Sequence, residues 1–259
     1  MPRLNELIYS IESVAPRSAQ QEWDNSGMQV GDTERDIKSV LLTTDITEAV
    51  VNEAIKLNCD FIVSHHPLLF HGLKQICGQT PQARVVELAI KHHIAIYSAH
   101  TSLDSVLHGI SGRLAEKLGV QDYRILVPNE SGPFGLGVIG QLPEPMTFDD
   151  FLQRVRETLG TTYIRYIAPA NNIIRTIALC GGAGAEFAEE AIKQGADVYL
   201  TADCKYHEMQ DAVGRIGIID IDHWISERHA CEIMKEIVEP LGVKCFISQA
   251  DNTPIQIFN

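Results

Sequence analysis

The stretch IKSVLLTTDITEAVVNEAIKLNCDFIVSHHP, residues 37–67, reads as strand, helix and strand in succession. Ile37–Leu42 (IKSVLL) is short and mostly apolar, the pattern of a buried strand. A helix follows over about 47–57, and DFIVS at Asp60–Ser64 is a second strand. Two strands joined by such a helix form a βαβ unit and hence a parallel pair, because parallel neighbours need a crossover of that length. Working outward, a helix over about 80–92 leads into a third strand, IAIYSA at Ile94–Ala99. Another helix over about 109–118 precedes a strand near Tyr123–Val127. Upstream, Leu4, Leu7, Ile8 and Ile11 share one helical face, and Pro16 marks its stop.

Residues 128–146 (PNESGPFGLGVIGQLPEPM) are rich in Pro and Gly, which marks a lobe boundary carrying one short strand. Thr147 with Asp150 resembles a capping box opening the helix FDDFLQRVRETLG. Strands are expected at Tyr163–Ile167 and Ile173–Cys180, then a turn at Gly181–Gly184, a helix over about 185–194 and a strand at Asp197–Thr201. A short helix (YHEMQDAVG) and a strand at Ile216–Asp220 follow. Ser226 is expected to cap a last helix running to about Glu239, with closing strands at Val243–Ile247 and Ile255–Phe258. The alternation predicts an α/β fold of two interlinked lobes with mostly parallel sheets. The expected division is 1–127 with 220–259 as the first lobe and 128–219 as the second. Lys56–His66 (KLNCDFIVSHH) and Lys193–Asp203 (KQGADVYLTAD) echo each other. An internal duplication and shared βαβ grammar explain that echo equally well.

Composition narrows the function classes. The 259 residues are 45% apolar and 21% charged, which excludes collagen-like, low-complexity and disordered chains. No run of 18 apolar residues exists, so no membrane span is expected. Glu6 and Glu12 interrupt the first apolar pattern, which a secretory signal would not tolerate, so the cytoplasm is the expected compartment. Thirty-four acidic against 21 basic residues give a net charge of −13, which disfavours nucleic acid as a partner. The six cysteines form no CxxC pair, so thiolate zinc sites and redox dithiols are not expected. They read as small buried apolar side chains in a reducing compartment.

The chemistry lies where polar residues leave the strands. DFIVS ends in His65–His66–Pro67, IAIYSA ends in His100 with Asp104 four residues on, and IGIID ends in Asp222–His223 with Glu227 four residues on. Ligands of open parallel sheets bind beyond the carboxyl ends of the strands. Three strands delivering imidazole or carboxylate to such an edge make a candidate metal site. Imidazole nitrogen and carboxylate oxygen suit Zn, Mn, Fe, Co or Ni, and the lack of thiolates argues against a closed structural zinc site. Adjacent side chains on an extended chain point to opposite sides, so His65 and His66 would each hold one of two ions roughly 3.5–4 Å apart. His223 and Glu227 share a helical face if the last helix begins near His223.

Other polar residues stay open. His100 could be a ligand, a partner orienting one, or a proton carrier. His207, in TADCKYHEMQDA, could face the same cleft or bond locally at a helix start. CGGAG at Cys180–Gly184 could cradle a phosphate on backbone N–H groups or be a plain tight turn. Asp24, Asn25 and Gly27 in WDNSGMQVG read as a turn with no assigned role. His71, His92, His93, His108 and His229 read as solvated or capping.

Taken together, SHHPLLF, SAHTSLD, WDNSGMQVG, TADCKYHEMQDA and DHWISE resemble, in order, the motifs of the GTP cyclohydrolase 1 type 2, or Nif-three-like, family. The resemblance implies two α/β lobes, a dinuclear metal site in the cleft between them, and toroidal homohexamers. Its ligand set maps onto His65, His66, Asp104, His223 and Glu227. It further implies that Glu227 bridges the ions, with His65 and His223 on one ion and His66 and Asp104 on the other. Asp222 stands where the family often has Gly. The segment 128–172 is too short for the domain that longer members insert there, so the chain resembles the compact form. The expected activity is metal-dependent hydrolysis of a nucleotide-like substrate by a metal-activated water, with His100 or His207 shuttling a proton. The alternative is a non-catalytic ring that handles metal or binds a protein partner.

Overall fold

The computed structural model describes residues 1–129, 132–251 and 253–258. The elements, in chain order, are first α1 (Leu4–Val14), β1 (Gly27–Val30), β2 (Ser39–Thr43), α2 (Glu48–Leu57), β3 (Phe61–Ser64), α3 (Pro81–Lys91) and β4 (Ala95–Ser98). Next come α4 (Thr101–Asp104), α5 (Ile110–Leu118), β5 (Gln121–Pro128), β6 (Gly135–Thr147), α6 (Phe148–Leu159), β7 (Arg165–Ile167) and β8 (Ile173–Ala183). The last are α7 (Ala188–Lys193), β9 (Val198–Ala202), α8 (Tyr206–Ala212), β10 (Gly217–Ile221), α9 (His223–Glu227), α10 (Ala230–Val238) and β11 (Lys244–Ile247). Two compact units result, one of Met1–Leu103 with Ala230–Asn252 and one of Asp104–His229 with Thr253–Asn259. The changeovers thus fall inside α4 and ahead of α10, beside expected boundaries at 127/128 and 219/220. Glu130 and Ser131 of the expected boundary stretch lie outside the described residues.

The first unit is built on a sheet of order β1-β4-β3-β2-β11, parallel except for β1. Every residue of β2, β3 and β4 is buried, as strands covered on both faces must be. The crossover helices start where the sequence supplies caps. Thr47 accepts the Val50 N–H at 3.3 Å, and Thr80 accepts that of Ala83 at 3.2 Å, with Pro81 in the first turn. Val50, Val51 and Ala54 of α2 and Val85, Val86 and Ala89 of α3 pack with Leu41, Ile62 and Ile96 of the sheet. Elsewhere in this unit α10 packs on β2, and α1 packs on α10.

The second unit carries a mixed sheet of order β5-β6-β8-β9-β10-β7. Only β8, β9 and β10 are mutually parallel, so the expectation of mostly parallel sheets is corrected for this unit. The expected short strand in the Pro/Gly-rich stretch is the 13-residue β6. It passes Pro143 and Pro145 because its register with β8 shifts between Gln141 and Met146, and prolines are tolerated at such irregularities. The Thr147 cap forms as expected, accepting the Asp150 N–H at 3.2 Å.

Three further expectations change. Residues 255–258 form no strand. The last helix is two helices, α9 and α10, and the cap of α9 is Asp222, which accepts the Ile225 N–H at 3.1 Å. The strand β1 was hidden in WDNSGMQVG and lies antiparallel on β4, at the sheet edge. Cys59, Cys180, Cys204 and Cys231 are buried as expected, whereas Cys77 is exposed. His229 is buried rather than solvated, with Nε2 2.9 Å from the Ile110 carbonyl. Among the described residues no helix is long and apolar enough to cross a membrane.

Candidate metal centre

In the first unit the carboxyl ends of β2, β3 and β4 gather three imidazoles. The pairing of β2 and β3 continues past their ends, with His65 N–H on the Thr43 carbonyl at 3.1 Å and His66 N–H on that of Thr44 at 2.9 Å. The Ser64 hydroxyl then donates to the His66 carbonyl at 2.8 Å and turns the chain. Strict strand alternation has ended by Ser64, so the expected divergence of the two side chains does not occur. Their ring centroids lie 5.0 Å apart, and their ligand nitrogens lie within 4.8 Å of one another.

Each of these rings is held through Nδ1. His65 is buried and its Nδ1 lies 2.9 Å from the Ala99 carbonyl, which can only accept, so Nδ1 carries the proton. His66 Nδ1 lies 2.8 Å from Asp45 Oδ1, and His100 Nδ1 lies 2.7 Å from Asp24 Oδ1. In a neutral ring whose Nδ1 donates, Nε2 is the nitrogen that carries the lone pair. This is the arrangement of metal-binding histidines, whose second nitrogen is oriented by a carbonyl or carboxylate.

The Asp24 side chain is fully buried and accepts from His100, Thr101, Ser26 and the Asn25 N–H. Burial works to raise its pKa, but the hydrogen bonds from His100, Thr101 and Ser26 outweigh it. They hold the carboxyl well below the usual range. The turn to which the sequence assigned no role is therefore the anchor of His100.

In the second unit the carboxyl ends of β9 and β10 supply the other residues. Asp203, one residue past β9, places Oδ2 2.7 Å from His223 Nδ1. His223 opens α9, and its Nε2 lies 3.0 Å from Glu227 Oε2, one turn on. That pairing follows the helical spacing the sequence predicts. Glu227 is buried. Beneath it runs the end of β8, where Gly182 has φ +68° and a Cβ would stand 2.1 Å from Glu227 Oε1. The positive φ favours glycine, and a Cβ there would have to push the Glu227 carboxylate aside.

The CGGAG segment is not a phosphate cradle. Its N–H groups are taken by side chains: Gly181 donates to Ser111 at 3.2 Å, Gly182 to Ser226 at 2.9 Å and Gly184 to Thr201 at 3.0 Å. Asp104 ends α4, half-buried. Burial first, then the negative charges of Asp104 and Glu227, push the Cys180 thiol up to about 12, so both carboxylates bear on one spot of this unit. His207 stands exposed on α8 with Nδ1 3.3 Å from Gln210 Oε1. In that motif it is Asp203, rather than His207, that touches a predicted ligand.

A cavity of about 230 Å³ opens beside His223, lined by Arg165, Asp203, Asp220, Asp222 and Ile255 among others. Arg165 is paired with Asp220. Burial nevertheless raises the Asp220 carboxyl, outweighing the guanidinium.

The donor set, imidazoles oriented through Nδ1 plus carboxylates and no thiolate, fits a borderline divalent cation, and Gly182 keeps a Cβ out of the space beside Glu227. Asp24, Asp45, Asp203 and Gly182 are the contributors that the sequence did not reveal. Asp45 stands two residues past β2 as His66 stands two past β3, so the strand-end signal was present and unread.

Comparison with known proteins agrees with this reading of fold and family. The profile of Duf34/NIF3 (NGG1p interacting factor 3) matches residues 2–254, and the chain belongs to that family. It is 37% identical over 231 residues to the "GTP cyclohydrolase 1 type 2 homolog" of Clostridium perfringens, covering 87% of each chain. It is 33% identical to the homolog of the same name from Clostridium acetobutylicum, over 98% of this chain and 95% of that one. Among solved structures, a Bacillus cereus protein related to NIF3 superposes with TM-score 0.89 at 26% identity over 99% of both chains. Reduced HcgD from Methanocaldococcus jannaschii superposes with TM-score 0.82 at 25% identity, over 96% of this chain and 98% of that one.

Proposed function

We propose that this protein is a metal-dependent hydrolase that holds two divalent ions, of Zn, Mn, Fe, Co or Ni, through His65, His66, Asp104, His223 and Glu227. The observation that carries the proposal is the common fate of Nδ1 in His65, His66 and His223. Each lies against an oxygen acceptor that fixes the orientation of its ring, the support that metal-binding histidines receive through their second nitrogen, and the Nε2 of His223 meets the Glu227 carboxylate at 3.0 Å. His65 and His66 bring two imidazoles together inside the first unit, and His223 meets Glu227 inside the second, the donor types such an ion requires. When bound, the ions would supply an acidified water and charge stabilisation at the reacting bond. His100 is assigned as the proton carrier, because Asp24 fixes its Nδ1 and so its ring orientation. The name shared by the relatives supports a nucleotide-like substrate. Family resemblance supports a cytoplasmic homohexameric ring.

The experiment loads the purified protein separately with each of the five metals and assays GTP together with a panel of nucleotides and phosphoesters. The expected outcome is stoichiometric metal and turnover, both lost in Glu227→Gln with an unchanged circular dichroism spectrum. Metal uptake without turnover on any substrate would overturn the hydrolase and leave a metal-handling ring. No uptake of any metal would end the site itself.

A further inference from the structure

Trp23 and Phe70 stand beside the imidazoles of the first unit, 61% and 42% exposed. Their ring centroids are 5.8 Å apart and their planes are inclined at 55°. Each also meets His100, Trp23 at 6.0 Å and Phe70 at 6.3 Å, both edge to face. His100 in turn lies 5.5 Å from His66. The two large apolar rings are therefore continuous with the candidate ligands, on one small patch.

The patch is rigid at its base. The loops that carry the two rings are stitched together by side chains acting in place of backbone. Asn25 Nδ2 donates to the Leu69 carbonyl at 2.8 Å, the Leu69 N–H donates to Gln29 Oε1 at 3.1 Å, and Gln29 Nε2 donates to the Asn25 carbonyl at 2.8 Å. Trp23 also precedes Asp24, whose carboxylate is immobilised by its hydrogen bonds. Loops fixed in this way leave only the ring torsions to be ordered when something stacks on the rings.

From this geometry we infer that Trp23 and Phe70 form a stacking platform for a planar heteroaromatic base, a subsite that no predicted ligand or proton carrier provides. The inference rests on the proposed hydrolase for its setting, and it names the part of the substrate that the imidazoles do not hold. The 55° inclination allows one ring to meet the base face to face while the other meets its edge, the two arrangements that aromatic pairs favour. Stacking tolerates any base because every base has a π-face. A chain with net charge −13 offers phosphates no general attraction, and the two exposed rings supply apolar faces on which a base can stack.

The chain has two tryptophans, so Trp224→Phe leaves Trp23 as the only indole reporter. This variant is titrated with guanosine monophosphate, adenosine monophosphate and ribose 5-phosphate, in chelator-treated and in Zn-loaded protein. Both purine nucleotides are expected to quench Trp23 saturably, and ribose 5-phosphate is not. Adding Phe70→Ala is expected to weaken the nucleotides about tenfold, the loss typical of one stacked ring. Metal stoichiometry is measured on the same samples and is expected to stay unchanged. Quenching absent in both metal states, or equal for ribose 5-phosphate, or unaffected by Phe70→Ala, overturns the platform. So does a sedimentation shift on Phe70→Ala with no change in nucleotide affinity, which would show that a second copy covers the rings. Failure of the metal site appears separately, as lost stoichiometry with base-dependent quenching intact.

Discussion

Asp203 Oδ2 lies 2.7 Å from His223 Nδ1 while the Asp203 backbone sits at φ +56°, in the left-handed region. A non-glycine residue there is strained by roughly 1–3 kcal/mol, and aspartate is among the few side chains that tolerate it. The chain accepts this conformation at the residue that orients a candidate ligand. Asp203→Gly is expected to leave the thermal midpoint undiminished, because glycine suits the backbone. The same substitution is expected to weaken metal binding about 10- to 100-fold, because His223 loses its orienting carboxylate. Calorimetric unfolding and a metal titration on one preparation check both halves. A fall in the midpoint with unchanged metal affinity would mean that the hydrogen bond serves the fold alone.

Gly182 makes the opposite kind of prediction. Its positive φ strains alanine, and an added Cβ, only 2.1 Å from Glu227 Oε1, would push that carboxylate aside. Gly182→Ala is expected to cost about 1–3 kcal/mol in denaturant unfolding and to displace Glu227 enough to abolish metal uptake. Uptake equal to the parent would show that Glu227 is dispensable.

Much of this arrangement was legible in the sequence. The runs IKSVLL, DFIVS and IAIYSA announce buried parallel strands by continuous apolarity, and the polar residues that end such runs fall at the sheet edge by topology alone. His65, His66, His100 and His223 could be found that way, as could the spacing of His223 and Glu227. The orienting carboxylates could not. Asp24, Asp45 and Asp203 occupy loops, where an aspartate has many local roles, and their partners lie 76, 21 and 20 residues away in sequence. Gly182 was hidden for a different reason, since CGGAG looks like a turn until β8 is seen to run through it to Ala183. The strand β1 was missed because GMQV is short and pairs only along one edge, and β6 because its prolines hid the register shift that accommodates them.

The Asp24 network predicts a specific pH dependence. Its folded-state pKa is depressed below the ordinary aspartate value of about 3.9, so its contribution is fully present above that value and is lost as pH falls through the folded-state value. Asp24→Asn is therefore expected to lower stability at pH 7 by about 1–3 kcal/mol, because buried donors lose a charged acceptor. The gap between parent and variant is expected to narrow progressively below about pH 4, where the Asp24 carboxyl of the unfolded parent takes up its proton while that of the folded parent stays ionised. Denaturant unfolding at both pH values measures it, and a gap that stayed constant into acid would refute the ionised network.

Asp222 ties α9 to the end of the chain. Oδ1 accepts the Ile225 N–H at 3.1 Å as the helix cap, and Oδ2 accepts the Thr253 hydroxyl at 3.0 Å. Beyond Thr253, Ile255 and Ile257 line the cavity beside His223, although residues 255–258 lie in no strand. Without a ladder of its own, this segment depends on such side-chain anchors. Asp222→Ala is expected to cost about 1 kcal/mol from the lost cap and to release the segment, so that a protease cuts beyond Val243 faster than in the parent. Thr253→Val removes the second bond while keeping the cap. It is expected to reproduce the faster cleavage with almost no change in global stability. Limited proteolysis of the two variants against the parent separates the roles, and cleavage at the parental rate in Thr253→Val would show that the apolar contacts of Ile255 and Ile257 hold the segment by themselves.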